Sequence, residues 1–321
     1  MRFGSLLRLG LLALCWGSSF LWIKIALTGL SPIQITLVRL VLGAAVMLAF
    51  CLVTRLALPK DLKTWALIAV PAVAGAVIPF TLFGIGEGSI DSNVAGVLNA
   101  TTPVLVALLA VVTGAERRPS WAQFAGIGVG FAGTMVILEP WRASGGTLAG
   151  ALACVAAAAL YAVSFIFIGR FLSRRVAPAA LAASQLTVAA IIMIVITPFA
   201  GLTTVRLSWP VLVSVTVLGL AGTGLGFLLN YRLIADDGPT LASTVGYLMP
   251  AVSVLLGALI LNEQLDAVTI GGMLLVLGGV ALTRRRKIRT DSESATLATS
   301  TSPQSATGQP TGPAGLTNRA G

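Results

Sequence analysis

The chain has 321 residues, of which 56% are hydrophobic and only 10% are charged, with a net charge of +10. Soluble domains carry about 25% charged residues, so a chain this poor in charge cannot cover a surface that faces water on all sides. The basic residues gather into no face and no RNA-binding motif, which argues against nucleic acid and leaves the lipid bilayer as the surrounding partner.

The first apolar run begins after Arg2 and Arg8, as the core of a signal peptide would. It continues through Trp16, Phe20 and Trp22 to Leu27 with no clear small-residue cleavage site, which predicts a retained first helix. Further runs follow at 33–53, 65–85, 93–113 and 121–138, then at 147–168, 179–199, 209–230, 240–261 and 267–283, so that with 9–27 there are ten. Each is close to the roughly 20 residues needed to cross a bilayer. Unpaired backbone groups are costly in hydrocarbon, so these runs are expected to be helices. Barrel strands would alternate in polarity over about ten residues, and that pattern is missing. Cys15, Cys51 and Cys154 lie in or at the edge of apolar runs without ligand spacing, and read as small buried hydrophobes.

Orientation follows from the connections. With the N-terminus inside, the inner segments hold Arg2, Arg8, Arg55, Lys60, Lys63, Arg117, Arg118, Arg170, Arg174, Arg175, Arg232, Arg284, Arg285, Arg286, Lys287 and Arg289, against only Arg142 and Arg206 outside. This bias predicts a multi-pass protein of the inner (cytoplasmic) membrane with both termini cytoplasmic. After Lys287 the composition turns to Ser, Thr, Pro, Gly and Ala, so 290–321 is expected to be a disordered cytoplasmic tail.

The chain also repeats itself. Pro103, Glu116, Gly126 and Gly133 recur in order as Pro250, Glu263, Gly271 and Gly278. Asn93-Val94-Ala95 aligns with Thr240-Leu241-Ala242, and Gly75 with Gly222. Trp16-Gly17-Ser18-Ser19-Phe20 matches Tyr161-Ala162-Val163-Ser164-Phe165, and Pro32 and Arg39 match Pro178 and Gln185. The repeats span 9–138 and 147–283 with five helices each. Five is odd, so the second copy enters the membrane from the opposite side. The predicted fold is all-α and integral to the membrane, about ten transmembrane helices as two inverted five-helix repeats. Such pairs suit alternating access around a central site.

These motifs resemble the drug/metabolite transporter superfamily, specifically the EamA-type permeases. The resemblance rests on Trp16-Gly17-Ser18-Ser19-Phe20 with Lys24, on Pro32 with Arg39, and on Pro103, Glu116 and Gly126 with Pro250, Glu263 and Gly271. It extends to about residue 283, and implies ten helices, cytoplasmic termini and efflux or uptake of small metabolites. The second half has Gln185 where the first has Arg39, and Gly169 where the first has Lys24, so any role for those cations is asymmetric.

Lys24 and Arg39 are the only basic residues within the apolar runs. A cation at mid-helix costs about 2.5–3.5 kcal/mol on insertion scales and is usually partnered or functional. Either the two attract an anionic substrate or pair with Glu87 or Asp91, or they snorkel to the outer interface. Pro103 and Pro250 are expected to interrupt helices 4 and 9, freeing the carbonyls of Asn99 and Gly246, with a purely structural kink satisfied by neighbouring helices or water as the favoured reading of the prolines themselves. Trp16, Ser19, Asn99, Tyr161, Ser164, Asn230, Tyr231 and Tyr247 are candidates to line the cavity, with interhelical hydrogen bonding as the alternative for the polar ones. Gly128-Val129-Gly130-Phe131-Ala132-Gly133 spells a dinucleotide fingerprint but lacks its strand, and the stripes Gly126, Gly130 and Gly133 on run 5 and Gly219, Gly222 and Gly226 on run 8 read as close helix packing. Glu116 and Glu263 are expected to cap helices 5 and 10 or to pair with loop cations.

The sequence has no histidine, and none of its eleven acids is placed deep in the membrane, so coupling through an intramembrane carboxylate is not expected unless Glu87 or Asp91 lies deeper. No metal ligand set, nucleotide loop, cofactor motif or catalytic constellation is found, and the chain is expected not to be an enzyme. The reading is a secondary transporter, with export favoured, of a small molecule such as an amino acid or drug-like solute. A passive channel and an intramembrane enzyme are the alternatives.

Overall fold

The computed structural model describes residues 3–114, 120–139, 145–200, 205–237 and 245–282, and every regular element among them is helical. Ten helices follow in order: α1 (Gly4–Ala26), α2 (Pro32–Val53), α3 (Leu62–Glu87), α4 (Ser92–Val112), α5 (Trp121–Leu138), α6 (Gly145–Leu172), α7 (Pro178–Phe199), α8 (Trp209–Ile234), α9 (Val245–Leu261) and α10 (Ala267–Leu282). The first eight are long and apolar enough to cross a membrane, and the last two are shorter apolar helices. They match the predicted runs to within five residues at the described ends, and the predicted start of the ninth run at 240–244 lies outside the described residues. The expected tail at 290–321 lies outside the described residues.

The connections start helices with local chemistry. Ser31 and Gln34 form a reciprocal capping box at α2, with Pro32 preset for the first turn, and Ser120 and Gln123 do the same at α5. Asp61 caps α3 by accepting the Thr64 amide at 2.8 Å, and this hydrogen bond holds its carboxyl below the ordinary aspartate range. Each cap contributes about 1 kcal/mol.

Contacts between connections fix which helix ends share a side. The amide of Arg206 donates to Gly29 O at 2.9 Å, joining the α1–α2 and α7–α8 connections. Glu263, between α9 and α10, binds Ser92 and Asn93 at the start of α4. On the opposite side, Arg8 at the start of α1 forms an ion pair with Asp236, just past α8. The first two contacts join connections that follow an odd number of crossings, and the third joins segments that follow an even number. Ten alternating crossings satisfy all three, and removing one of the intervening helices would break at least one.

The inverted repeat is visible in the packing. The counterpart helices α2 and α7 pack together, as do α4 and α9, and α5 and α10. Helix α1 packs on α8 and α9, while its counterpart α6 packs on their counterparts α3 and α4. Exchanging the halves therefore maps these contacts onto one another. The glycines predicted to serve close packing do so: a Cβ on Gly279 of α10 would stand 2.6 Å from the backbone oxygen of Gly126 and 2.6 Å from the nitrogen of Gly130 on α5.

Gly279→Ala should therefore force α5 and α10 apart and cost about 1–3 kcal/mol, read as a lower thermal unfolding midpoint in detergent. Gly278→Ala next to it meets nothing within 4 Å and should leave the midpoint unchanged or raise it, because alanine favours helix over glycine.

Candidate functional site

The third helix of each half carries a stretch of π-helix, Val73–Val77 in α3 and Leu218–Leu225 in α8. A switch from α to π bonding shifts the backbone ladder, and in a membrane the displaced groups need partners inside the protein. At the entry to the first stretch, the carbonyl of Pro71 accepts from Gln185 Nε2 of α7 at 3.1 Å. Its counterpart 147 positions on, the offset that relates Pro103 to Pro250, is Leu218. The carbonyl of Leu218 accepts from the Thr223 hydroxyl at 2.9 Å, and the same hydroxyl accepts from Arg39 Nε of α2 at 2.8 Å. Gln185 and Arg39 are themselves counterparts. Each half thus extends a side chain from its second helix to the irregular turn in the third helix of the other.

The contacts of Ser19 and Ser164 repeat this exchange. A Cβ on Gly222 of α8 would lie 3.0 Å from Ser19 Oγ, and Gly75 of α3 lies against Ser164. Both serines are buried. Trp16, a turn before Ser19, packs against Gly226 and meets Phe227 edge-on with ring centroids 6.1 Å apart.

Arg39 does not snorkel. It is 8% exposed, and its guanidinium carbon stands 3.8 Å above the Phe80 ring. Tyr161 stacks on Phe83 at 6.1 Å and meets Phe80 edge-on, and Phe20 packs against Phe83 at 5.4 Å. Four helices of both halves thus supply one buried cation and an aromatic wall. A desolvated cation over an aromatic face contributes about 2 kcal/mol, and the planar, weakly hydrated guanidinium also suits a carboxylate.

Lys24 takes a different place. Its ammonium donates to the carbonyls of Glu87 at 2.8 Å and Ile90 at 2.6 Å, so it ties the C-terminal end of α1 to the C-terminal end of α3 instead of pairing with a carboxylate. The Glu87 side chain is buried at 1% exposure, which corrects its expected placement in an outer connection. The signal in the sequence was Gly84-Ile85-Gly86-Glu87-Gly88, where small residues let neighbours close over an acid. Gly84 lies against Pro32, and Gly86 against Cys154 and Gly150.

Glu263 caps a helix, but neither of the two expected. Its carboxylate accepts from the amides of Ser92 and Asn93 at 2.7 and 3.0 Å and from the Ser92 hydroxyl at 3.0 Å, at the N-terminus of α4 in the other half. Glu116 lies outside the described residues. The expected helix breaks also differ between the halves. Before Pro103, α4 is interrupted at Ala100 and Thr101, and the hydroxyls of Thr101 and Thr102 accompany the break by donating to the carbonyls of Leu98 and Asn99 at 2.7 and 2.8 Å. Pro250 instead sits inside an unbroken α9. The side-chain oxygen of Asn99 is buried without a partner among the described residues. Tyr247 packs with Val104 and Ile127, and Asn230 is half-buried near the end of α8, so neither joins the Arg39 cluster.

Sequence reasoning missed Thr223, Phe80 and Phe83. Thr223 has Ala76 as its counterpart, so the repeat comparison could not single it out, and phenylalanines in an apolar run carry no separate signal. Removing the Glu263 carboxylate by Glu263→Ala leaves two amides at a buried helix start without their acceptor. It should cost about 1–3 kcal/mol of stability, measured by thermal unfolding, with the exposed Gln264→Ala as the control.

The geometry accords with known proteins. The EamA-like transporter family matches residues 4–139 and again 148–285. An uncharacterized transporter of Archaeoglobus fulgidus is 27% identical over 85% of this chain and 95% of its own length. YedA, an uncharacterized inner membrane transporter of Escherichia coli K12, is 27% identical over 84% of this chain and 88% of its own, and the uncharacterized transporter YdfC of Bacillus subtilis is 25% identical over 84% and 87%. A solved crystal structure shares the fold with a TM-score of 0.62 at 20% identity, covering 88% of this chain and 98% of that one. The chain is a multi-pass membrane protein and belongs to the EamA-like transporter family.

Proposed function

We propose that this chain is a secondary transporter that exports a small organic solute, such as an amino acid or drug-like molecule, by alternating access between two inverted halves. The observation that carries the reading is the reciprocal reach of Arg39 to Thr223 and of Gln185 to Pro71. Two near-equivalent contacts across one interface can exchange strength, so one side tightens as the other opens, which is what inverted repeats supply. The buried Arg39 beside Phe80, Phe83 and Tyr161 favours a solute with a carboxylate and an apolar or planar body. The excess of inner basic residues supports cytoplasmic termini, and the inner-membrane name of one relative supports that location.

Counterflow of a labelled amino-acid mixture in proteoliposomes tests the reading. Saturable flux stimulated by unlabelled solute on the far side is expected, whereas flux that does not saturate and shows no stimulation would mean a channel. Arg39→Met should lower flux of carboxylate-bearing solutes about tenfold or more, ~1.4 kcal/mol or above, and Arg39→Lys should recover little because an ammonium cannot stack and bridge in the same way. Trp16→Ala and Asn99→Ala should reduce flux while leaving membrane insertion intact. Wild-type flux in both would remove these residues from the solute path.

A further inference from the structure

Glu87 is a buried acid for which packing gives no account. Neither carboxyl oxygen has a hydrogen-bond partner among the described residues. The charged and titratable groups that act on it are Lys24 from α1, Arg39 from α2, Cys154 from α6 and Glu263 from the α9–α10 connection. Arg206 stands on the wall of the same outer cleft, and Asp91 is exposed four residues along the chain. Neither cation hydrogen-bonds the carboxylate: Lys24 binds two carbonyls and Arg39 Nε binds Thr223. An ionised carboxylate shut away from water without a donor is strongly penalised, while the neutral acid is penalised far less.

The site also lies where opening would change its surroundings. An open outer cleft of about 740 Å³ is lined by Lys24, Ser31, Pro32, Gly84, Glu87 and Arg206 among others. On the wall of that cleft, Lys24 holds α1 to the end of α3 through its bonds to the carbonyls of Glu87 and Ile90. Parting these two ends would admit water to the carboxyl and free the ammonium in one movement.

We propose that Glu87 is a proton-binding site of the transport cycle, occupied while Lys24 latches the outer ends of α1 and α3 and emptied when they part. On release the carboxyl O–H bond breaks, the proton passes to water, and the electron pair stays on the carboxylate. Lys24, detached from the carbonyls of Glu87 and Ile90, then serves as the counter-ion. Solute passage is thereby linked to one proton per cycle, which replaces the carboxylate-free coupling expected from the sequence. The linkage to solute rests on the transporter reading above, whereas occupancy of Glu87 by a proton does not.

The full chain in lipid nanodiscs gives the first test. Infrared spectra near neutral pH should contain a carboxylic-acid carbonyl band, shifted in heavy water, that is missing from Glu87→Gln and kept in Asp91→Asn. Glu87→Asp should move the band, which decides the assignment should Glu87→Gln fail to fold. The same band in wild type and a folded Glu87→Gln would overturn the proposal. In proteoliposomes with the labelled amino-acid mixture, an imposed pH gradient should raise wild-type flux several-fold, and the ratio of flux with to without the gradient should fall to one in Glu87→Gln. A folded Glu87→Gln that still responds to the gradient would also overturn it. Wild-type protein without counterflow would count against the transporter reading instead, and the infrared band would still decide whether Glu87 holds the proton.

Discussion

In hydrocarbon, a backbone group that leaves the helical ladder has to find its partner inside the protein. That constraint explains the polar contacts of this chain better than charge pairing does. Pro71 O, the carbonyls at the end of α3 and the amides that start α4 are all met by side chains, from Gln185, Lys24 and Glu263. Gln185 and Glu263 belong to the second half and serve the first, and Arg39 of the first half reaches Thr223 in the second. Irregular backbone is concentrated where the halves meet, and each half supplies what the other lacks. Neither half could form these turns alone at the same cost, so the duplication is held together by the irregularities it carries.

The two halves do not satisfy this demand in the same way. Gln185 reaches its carbonyl directly with a neutral amide, whereas Arg39 works through the Thr223 hydroxyl and brings a full charge to rest on Phe80. An amide would have been enough to satisfy the backbone, as the second half demonstrates. The extra charge is what the proposed binding of a carboxylate by Arg39 accounts for, since charges within membrane helices are costly and are partnered or functional. The same comparison separates Arg39 from Lys24, which is fully engaged in closing the end of a helix.

The architecture was legible because its signals are periodic and redundant: ten apolar runs and a motif order that recurs once along the chain. The glycine stripe of α5 was legible too, since Gly126 and Gly130 let α10 approach at Gly279 backbone to backbone, as small residues on membrane helices do, although Gly279 itself was not singled out. The site was less so. A π segment has no composition that separates it from an α-helix, and Pro71 and Gly222 mark the neighbourhood without marking the bond. Glu263 could be recognised as a cap but not assigned to α4, because the partner lies about 170 residues away. Pro250 marks the reach of a local rule, since it sits inside an unbroken α9 whereas Pro103 follows an interruption of α4.

Glu87 shows most clearly how burial depends on neighbours and not on the residue itself. By sequence it falls two positions beyond an apolar run, where an acid normally faces water. What encloses it is the set of glycines on either side, which lets Pro32 from α2 and Cys154 from α6 approach closer than any Cβ would allow. Lys24 then completes the enclosure through the main chain, binding the carbonyl of Glu87 rather than its carboxylate. Had the ammonium paired with the carboxylate, the C-terminal end of α3 would carry a salt bridge and two unmet carbonyls. As built, the carbonyls are met and the carboxyl is left in reserve. The Lys24 bonds and the charge state of Glu87 therefore cannot change independently of each other, since any motion that breaks the first exposes the second.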